Sequence, residues 1–537
     1  MSSRIRTAPV SRRRALALAA SAATTAAAAR WTPRTAAQAT PTPGETAATP
    51  VPGLATHPMP STLAADASPR FRAVADALVA AMQAHGVPGA AVGVLWGDGD
   101  QEEHATFGVE SLSSLRPVTE QTLFQIGSLT KIYTATVIWH LIDQGALSLD
   151  APVRTWLPDL TLQDPDVAAR LTIGNLLDHA AGFYGDDTTD TGSNDDVLAR
   201  YVAERLPLLP QEFPLGEFFS YNNVGFTTLG RLIEVTTGTS YYAAMSDLLF
   251  APLGLHSTFL ERSDVLQHPY ADGHVTMPIN GTVVTTVQLP LWIVNSADPA
   301  GGIWSTTRDV IRYGRFHLAS ETVAGPANVV SPESLAQMQE PMLPIPGTSL
   351  WMGRDWFVQD IEGIRTIGHG GDTLGQHTDF FAVPEHGFAM VVLTNGQPGA
   401  GVTFAAVDAA VSQVPELSPL AGKLGLVPAL SAAADAQPLP VTPEALTEYA
   451  GHYANPDASV DVTVEGDTLH FASTSTPGPD AWQPVLPAPV AQPAALSLLE
   501  PDVAGVPGGP RIPFVRDADG QVRWVSAGLR LMPRVDD

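Results

Sequence analysis

Ser128 and Lys131 are the residues whose types and spacing most directly suggest chemistry, and they lie in the segment FQIGSLTK at positions 124–131. Side chains three residues apart on a helix share one face. A serine hydroxyl is a strong nucleophile only when a neighbouring base takes its proton, and a lysine does so when burial lowers its pKa towards neutrality. The flanking residues are mainly apolar. The pair predicts acyl transfer through Ser128, with a helix-capping serine followed by a surface lysine as the alternative.

Tyr221 and Asn223 form a second candidate cluster further along the chain. The Tyr221 phenol has an ordinary pKa near 10, so it needs a nearby cation to act as a base, and Lys131 could supply one. The Asn223 amide could bind the carbonyl side of a substrate or hold Lys131 in place. The alternatives are a buried structural tyrosine and an N-cap for a helix that begins at Val224.

His369, Gly370 and Gly371 form a third cluster, on a predicted strand. Glycines let a substrate backbone approach a strand closely and pair with it. A histidine is mostly neutral at pH 7, unlike a lysine. The alternative for His369 is a turn at the end of a strand.

Several further segments follow a fixed order along the chain. They are LLDHAAG at 176–182, YNN at 221–223, PAGG at 299–302 with Ser305 and Thr306, HGG at 369–371 and LTN at 393–395. With the S-x-x-K motif at 128–131, this order resembles the serine β-lactamase and penicillin-binding-protein superfamily, in particular its class C β-lactamase-like branch. The resemblance spans about Phe71 to Asn395.

The resemblance implies roles for these residues. Tyr221 handles protons during acylation and deacylation, and the backbone N–H groups of Ser128 and Asp372 hold the oxyanion. Asp372 departs from the family pattern, and its carboxylate is expected to disfavour anionic substrates. His369 stands where true β-lactamases carry a lysine, which favours relatives that cleave esters or D-amino-acid peptides.

We therefore predict a serine hydrolase that acts on small ester, amide or peptide substrates without metal or cofactor. The alternatives are a β-lactamase and a non-catalytic sensor of penicillin or wall peptides. Two other segments are predicted to be structural: His179 orders a loop, and the acidic stretch from Gly185 to Asp196 is a solvated loop, because it lacks the spacing of a calcium site.

The elements that must position these residues follow from the hydrophobic pattern. Helices are predicted at Phe71–Met82, Thr130–Gln144, Ile173–His179 and Val224–Thr237, with glycines 86, 182 and 238 ending three of them. Strands are predicted at Ala90–Trp96, at His104–Val109 and within Arg365–Asn395. This order predicts an α+β fold of the β-lactamase/transpeptidase type, in which an antiparallel sheet is flanked by helices and joined to a helical subdomain.

Composition shifts divide the chain into five segments. Residues 1–39 carry paired arginines, an Ala-rich stretch and a small-x-small site, which predicts a signal peptide of the twin-arginine type. Residues 40–66 and 418–440 are Pro/Ala-rich linkers, and 67–417 is the hydrolase domain. Residues 441–537 alternate apolar and polar positions, which predicts a small all-β barrel or sandwich, and they resemble the lipocalin-like domains of some family members.

The overall composition excludes several classes of protein. A net charge of −27 argues against binding to nucleic acid or anionic lipid. The absence of cysteine excludes disulfides, thiolate metal sites and cysteine nucleophiles. The apolar part of the signal is too short for a good membrane span, so a secreted or periplasmic protein without a stable span is expected. The oligomeric state stays open.

Overall fold

A computed structural model of the chain describes residues 57–97, 101–193, 195–279, 282–288, 291–318, 329–475 and 494–535. The predicted signal peptide and most of the first predicted linker lie outside this range. Within it, no helix has both the length and the apolar character needed to cross a membrane.

The larger domain is built on an eight-stranded sheet in which every neighbouring pair is antiparallel. The strands are β1 (Gly89–Trp96), β2 (Glu102–Gly108), β3 (Leu343–Pro344), β4 (Leu350–Met352), β5 (Phe357–Ile361), β6 (Ile364–Asp372), β7 (His377–Val383) and β8 (Phe388–Thr394). Their order in space is β2-β1-β8-β7-β6-β5-β4-β3. Strand β1 therefore pairs with β8, so the sheet is closed by chain from far down the sequence.

Helices cover both faces of the sheet. The long ones are α1 (Pro69–His85), α2 (Thr130–Asp143), α3 (Asn223–Thr237), α4 (Thr307–Leu318) and α5 (Gly399–Ser412). Helices α1 and α5 pack on one face, around buried residues such as Leu78 and Val411. Helices α2, α3 and α4 enclose the larger core on the other face. The predicted α+β fold is confirmed.

Shorter helices connect these elements. The α-helical ones are Pro165–Arg170, Ile173–Leu177, Val197–Arg200, Tyr241–Met245, Ala251–Leu253, Arg262–Val265, Asp298–Gly301, Pro332–Met338, Leu426–Ala429 and Pro443–Leu446. The 3₁₀ segments are Gly127–Leu129, Val153–Thr155, Leu206–Leu208, Asn295–Ala297, Pro384–His386 and Pro415–Leu420, and the π segments are Tyr201–Arg205 and Ser246–Phe250. Two small antiparallel sheets complete this domain: Phe124–Gln125 pairs with the distant segment Trp304–Ser305, and His274–Ile279 forms a hairpin with Thr282–Val287.

Capping residues explain where the helices near the site begin and end. Gly86 and Gly238 adopt the left-handed conformation at the ends of α1 and α3, as predicted. Thr172 caps the short helix Ile173–Leu177, but Gly182 does not end it, because the helix stops five residues earlier. The N-cap of α3 is Asn222, whose side chain accepts the N–H of Gly225 at 2.8 Å. The capping role considered for its neighbour Asn223 is therefore wrong.

The C-terminal domain is a closed barrel of eight antiparallel strands, so the barrel prediction holds and the sandwich does not. Its strands are β9 (Gly451–Ala454), β10 (Ala458–Glu465), β11 (Thr468–Ser475), β12 (Ala494–Glu500), β13 (Val503–Gly505), β14 (Arg511–Arg516), β15 (Val522–Ala527) and β16 (Arg530–Val535). Closure leaves no free sheet edge. Side chains including Tyr453, Leu469 and Phe514 fill the core.

The segment predicted as the second linker packs against both domains. Leu420 and Leu424 are buried in the core beneath α1 and α5. Leu426 and Leu430 pack beside Tyr221 and the barrel residue Leu529. The connection therefore contributes to the core of the larger domain and to an apolar cluster between the two domains, beside the predicted site residue Tyr221.

Candidate active site

Ser128 and Lys131 are brought together by the tight turn that leads into α2. Gly127 has a φ of 55°, and a Cβ there would lie 2.7 Å from the backbone nitrogen of Asp372, so this position needs glycine. Lys131 follows in the first turn of α2 and is fully buried. Its Nζ donates to Ser128 Oγ at 3.0 Å and to the backbone oxygen of Ala300 at 2.7 Å. The lysine is thus fixed against the serine hydroxyl.

Burial lowers the pKa of Lys131 to about 7, although the carboxylate of Asp355 opposes this change. The guanidinium of Arg530 lowers the pKa further, and Asp186 raises it. A lysine with this pKa is substantially neutral at physiological pH and has a lone pair that can accept a proton. This arrangement suits a general base for Ser128.

Tyr221 lies across the same site as a buried, neutral phenol. Lys131 Nζ lies 4.8 Å from the centroid of its ring. Burial raises the pKa of Tyr221 well above 10, and the Asp355 charge raises it further. The expectation that Lys131 would make this phenol a base is therefore not supported, because burial outweighs the cation. These pKa directions favour Lys131 as the base and leave Tyr221 as a neutral phenol beside it.

Strand β6 presents an open edge to Ser128. It is joined to β5 by a two-residue turn, Glu362–Gly363, with both φ angles positive, which is typical of a type I′ hairpin. In such a hairpin the residues flanking the turn form a hydrogen-bonded pair, and the bonding direction alternates along the strand. The backbone groups of the even-numbered residues of β6 therefore point towards β5. Strand β5 begins opposite Gly368, so it offers no partner to Gly370 and Asp372. The N–H groups of these two residues therefore point into the cleft, as an oxyanion donor at Asp372 requires.

Gly371 holds this strand against the nucleophile turn. A Cβ at Gly371 would lie 1.9 Å from the backbone oxygen of Ile126 and 2.9 Å from the nitrogen of Ser128. A Cβ at Gly370 would come too close to a single side-chain atom, Asp379 Oδ1, at 2.7 Å, and would lie at an ordinary contact distance of 3.5 Å from the backbone oxygen of Thr378. Of the two glycines, Gly371 is the one whose missing side chain lets β6 approach Ser128.

His369 is buried and neutral. Its Nδ1 donates to the backbone oxygen of Gly370 at 2.6 Å. Burial lowers its pKa to about 3, and the Lys131 cation lowers it in the same direction. The family position occupied by a cation in true β-lactamases therefore carries no charge in this protein.

The carboxylate of Asp372 does not act as the free negative charge expected from the sequence. It lies 2.7 Å from Nδ1 of His377, whose Nε2 lies 3.1 Å from Asp379. Burial would lower the pKa of His377, but the two carboxylates outweigh it and raise the pKa well above 6.5. The resulting imidazolium is shared by the two carboxylates, so Asp372 is paired but the cluster keeps one net negative charge, and the expected bias against anionic substrates stays a prediction.

Asn223 lines the cleft and is held by Asp186. Its Nδ2 donates to Asp186 Oδ1 at 2.7 Å. Its Oδ1 is buried without a hydrogen-bond partner among the described residues, and the side chain lines the cleft. An amide oxygen in this position can accept a hydrogen bond from a substrate N–H.

The barrel completes the site, which no sequence motif indicated. The β15–β16 hairpin lies beside Tyr221, whose N–H donates to the backbone oxygen of Leu529 at 2.9 Å. Arg530 donates to both carboxylate oxygens of Asp186, at 2.8 and 3.0 Å, and lies 4.8 Å from the Tyr221 ring centroid. The prediction that the acidic stretch is a solvated loop is therefore wrong at Asp186. This side chain is largely buried and forms an ion pair across the domain interface.

The cleft that contains Ser128 has mainly apolar walls. They come from the sheet, from α5, from the connecting segment and from the barrel: Leu350, Phe357, Ile367, Phe380, Phe381, Phe404, Val407, Leu424, Leu426 and Leu529. Among the described residues, no group of three or more His, Asp or Glu side chains is arranged to hold a metal ion. The cleft suits a substrate with an apolar acyl or side-chain group.

The fold and the serine–lysine–tyrosine cluster define a member of the serine hydrolase superfamily of β-lactamases and penicillin-binding proteins. The chain belongs to the beta-lactamase family, whose sequence model matches residues 74–413.

Comparison with individual proteins agrees. The chain is 37% identical to penicillin-binding protein 4 of Amycolatopsis lactamdurans over 319 aligned residues. The alignment covers 58% of this chain and 82% of that protein. The crystal structure of SurE with D-Leu superposes with a TM-score of 0.67 at 25% identity and covers 87% of this chain and 99% of SurE. The octameric penicillin-binding protein homologue from Pyrococcus abyssi shares the fold, with a TM-score of 0.56 at 19% identity over 86% of this chain and 99% of that one.

Proposed function

We propose that the protein is an exported serine hydrolase of the carboxylesterase or D-amino-acid peptidase type, which cleaves neutral ester or amide bonds through an acyl-enzyme on Ser128. The observation that carries this proposal is the buried Lys131, whose Nζ lies 3.0 Å from Ser128 Oγ. Its pKa of about 7 lets it accept the serine proton near neutral pH.

We propose the following steps for this reaction. Ser128 Oγ attacks the substrate carbonyl carbon while its proton moves to Lys131, and the N–H groups of Ser128 and Asp372 hold the oxyanion. The C–N or C–O bond then breaks, and the leaving group takes the proton from Lys131 by way of the Tyr221 hydroxyl. Water attacks the acyl-serine ester, its proton returns through the same groups to Ser128 Oγ, and the acid is released.

The charges of the cleft favour neutral substrates. His369 is neutral where a β-lactam carboxylate would need a cation. Arg530 lines the cleft, but its guanidinium is paired with Asp186. D-configured substrates are supported by one similar structure, SurE, which was crystallised with D-Leu. The proposed substrate is an ester or amide of an apolar D-amino acid or a comparable acyl group.

Export rests on the sequence alone. The paired arginines and the weakly apolar stretch of residues 1–39 support transport by the twin-arginine route, which accepts folded proteins. Fusion of residues 1–39 to a reporter that is active only outside the cytoplasm tests this. Activity that disappears when Arg12 and Arg13 are both changed to Lys would support the route.

Labelling of the full chain tests the mechanism. A fluorophosphonate should modify Ser128, as read by peptide mass spectrometry, and Ser128→Ala should abolish both the adduct and the hydrolysis of p-nitrophenyl esters. Unchanged ester hydrolysis in Ser128→Ala would refute the proposal. D- and L-leucine p-nitroanilides and nitrocefin then rank the substrates. A penicillin adduct that forms without turnover of any of these compounds would instead identify a sensor.

A further inference from the structure

Gly368 and Gly370 lie on the face of β6 that looks towards helix α5. Opposite them on β7 are Phe381 and Asp379, and residues opposite each other on neighbouring antiparallel strands share one face of the sheet. Phe381 belongs to the buried cluster that also contains Val407 of α5. Asp379 accepts a hydrogen bond from a threonine of the same helix. The two glycines therefore face α5 without presenting a side chain to it.

The space beside these glycines is empty. A Cβ at Gly368 would lie 2.9 Å from the backbone oxygen of Phe380, and a Cβ at Gly370 would lie 2.7 Å from Asp379 Oδ1. Among the described residues, the three atoms nearest to each of these positions belong to β7, and nothing from α5 comes closer than 3.9 Å. Both glycines line the cleft that contains Ser128. The missing side chains thus extend the cleft between β6 and α5.

The wall opposite the two glycines is apolar. On α5, Ala400, Phe404 and Val407 are spaced by four and three residues, so they share one face of the helix, and all three line the cleft. Leu424 and Leu426 of the connecting segment complete the wall. We refer to the space enclosed by these five side chains and the two glycines as the α5 pocket.

The α5 pocket adjoins Tyr221. Phe357, the first residue of β5, lines the same cleft, and its ring is parallel to that of Tyr221 within 6°, with centroids 6.4 Å apart. Leu426 of the pocket wall packs against the cluster that contains both rings. In the proposed reaction the leaving group takes its proton by way of the Tyr221 hydroxyl. The leaving group therefore lies on the side of the cleft where the α5 pocket opens.

The charges beside the α5 pocket disfavour a carboxylate. Asp372 and Asp379 line the cleft and share the single imidazolium of His377, which leaves one net negative charge. Asp379 is also the residue opposite Gly370, so its charge lies at the pocket itself. A group that binds there is best neutral.

The size of the cleft limits the length of the group. The whole cleft has a volume of about 180 Å³. An apolar cavity of about 150 Å³ is enough to bind benzene, so the α5 pocket suits a group of about four to six carbon atoms.

We propose that the α5 pocket is the binding site for the leaving group of the substrate and selects a neutral, apolar alcohol or amine of about four to six carbon atoms. The inference rests on the proposed function, because it assigns a leaving-group specificity to the reaction at Ser128. Contacts with the leaving group that persist in the transition state of acylation raise kcat/KM. Each methylene buried in the pocket should raise kcat/KM about three- to fourfold.

Two series of esters test this assignment in the full chain. Methyl, propyl, butyl and 4-methylpentyl acetates vary the leaving group, and a pH indicator follows the release of acetate. p-Nitrophenyl acetate, butanoate and 4-methylpentanoate vary the acyl group with one leaving group. We expect kcat/KM to rise along the first series, with no further rise for octyl acetate. 4-Acetoxybutanoate, in which a carboxylate replaces the terminal methyl of butyl acetate, should have a kcat/KM lower by about tenfold or more.

Two substitutions in the pocket wall and one control connect this preference to the α5 pocket. Phe404→Ala removes part of the wall and Ala400→Leu fills the space. Each should lower the ratio of kcat/KM for butyl acetate to kcat/KM for methyl acetate by about five- to tenfold, with a smaller effect on the p-nitrophenyl series. Ala409→Leu is the matched control. Ala409 is nine residues after Ala400 and so lies on the opposite face of α5, and its variant should keep the wild-type ratio.

The outcomes separate this inference from the proposed function. If wild type hydrolyses the esters through Ser128 but the acetate series is flat, or if both wall variants keep the wild-type ratio, the leaving-group pocket is refuted while the serine mechanism stands. A dependence on acyl length that disappears in both wall variants would assign the pocket to the acyl group and overturn the proposal. Equal kcat/KM for 4-acetoxybutanoate and butyl acetate would overturn the preference for a neutral group. If a fluorophosphonate does not modify Ser128 in wild type, the proposed function fails and the inference fails with it.

Discussion

Replacing Lys131 by methionine should abolish activity and yet stabilise the folded protein. Burial of the ammonium lowers its pKa from 10.5 to about 7. A tenfold change in proton affinity corresponds to about 1.4 kcal/mol, so near and below pH 7 the lysine costs the folded state about 5 kcal/mol relative to the unfolded chain. Methionine avoids this cost but leaves the backbone oxygen of Ala300 without its donor, which costs about 1–3 kcal/mol. The expected net gain at pH 7 is about 2–4 kcal/mol.

The pH dependence of this gain is the sharper part of the prediction. Between pH 7 and 10.5 the unfolded chain holds a proton on Lys131 that the folded chain does not, so wild-type stability rises with pH through this window. The methionine variant lacks that slope. Because folded Lys131 is still half-protonated at pH 7, the stability difference between the two proteins should shrink by about 2 kcal/mol from pH 7 to pH 9.

Urea unfolding followed by tryptophan fluorescence at pH 7, 8 and 9 measures this difference. Ser128→Ala is the matched control, because it also inactivates the protein but retains Lys131, so its stability should follow the wild-type pH slope. A Lys131→Met advantage that is absent, or equal at pH 7 and pH 9, would refute the conclusion that the lysine is held near neutrality by burial.

Three other outcomes are expected from the same structure. In wild type, acylation by p-nitrophenyl esters should fall about tenfold per pH unit below pH 7, because protonated Lys131 cannot accept the serine proton; a flat rate between pH 5 and 7 would contradict this. Gly371→Ala should lower kcat/KM far more than Gly370→Ala. The new Cβ at position 371 would clash with the backbone of Ile126, whereas the Cβ at position 370 would meet a side-chain carboxylate, that of Asp379. Equal losses in the two variants would show that the close approach of β6 to Ser128 is unimportant. Leu420→Ala should lower the free energy of unfolding by about 2–5 kcal/mol, whereas the exposed Leu208→Ala should change it by less than about 0.5 kcal/mol; a neutral Leu420→Ala would mean that the connecting segment is a spacer after all.

The local parts of this site could be predicted from the sequence. Ser128 and Lys131 are one helical turn apart, so their contact needs no knowledge of the tertiary fold. Hydrophobic spacing likewise predicted α1, α2 and the strands after Arg365, because each buries one face or its whole surface. In each case the information lies within a few neighbouring residues.

The remaining parts depend on contacts between distant segments. Asp355 and His179 are 176 positions apart and meet only in the folded core. Arg530 belongs to another domain, and no motif connects it with Asp186 or Tyr221. The pairing of Asp372 with His377 is intermediate between a local contact and a contact of distant segments. The two residues flank one tight connection, so correct strand register would have predicted their contact and the loss of the free charge expected at Asp372.

The β15–β16 hairpin has a consequence for the synthesis of the protein. A ribosome makes Leu529 and Arg530 about 400 residues after Ser128, which at 5–20 residues per second is a delay of roughly 20 to 80 s. During that interval the nucleophile turn and the lysine exist, but Tyr221 lacks the backbone partner that the hairpin provides. The nascent chain therefore lacks one part of its candidate catalytic centre until the barrel has been made and docked.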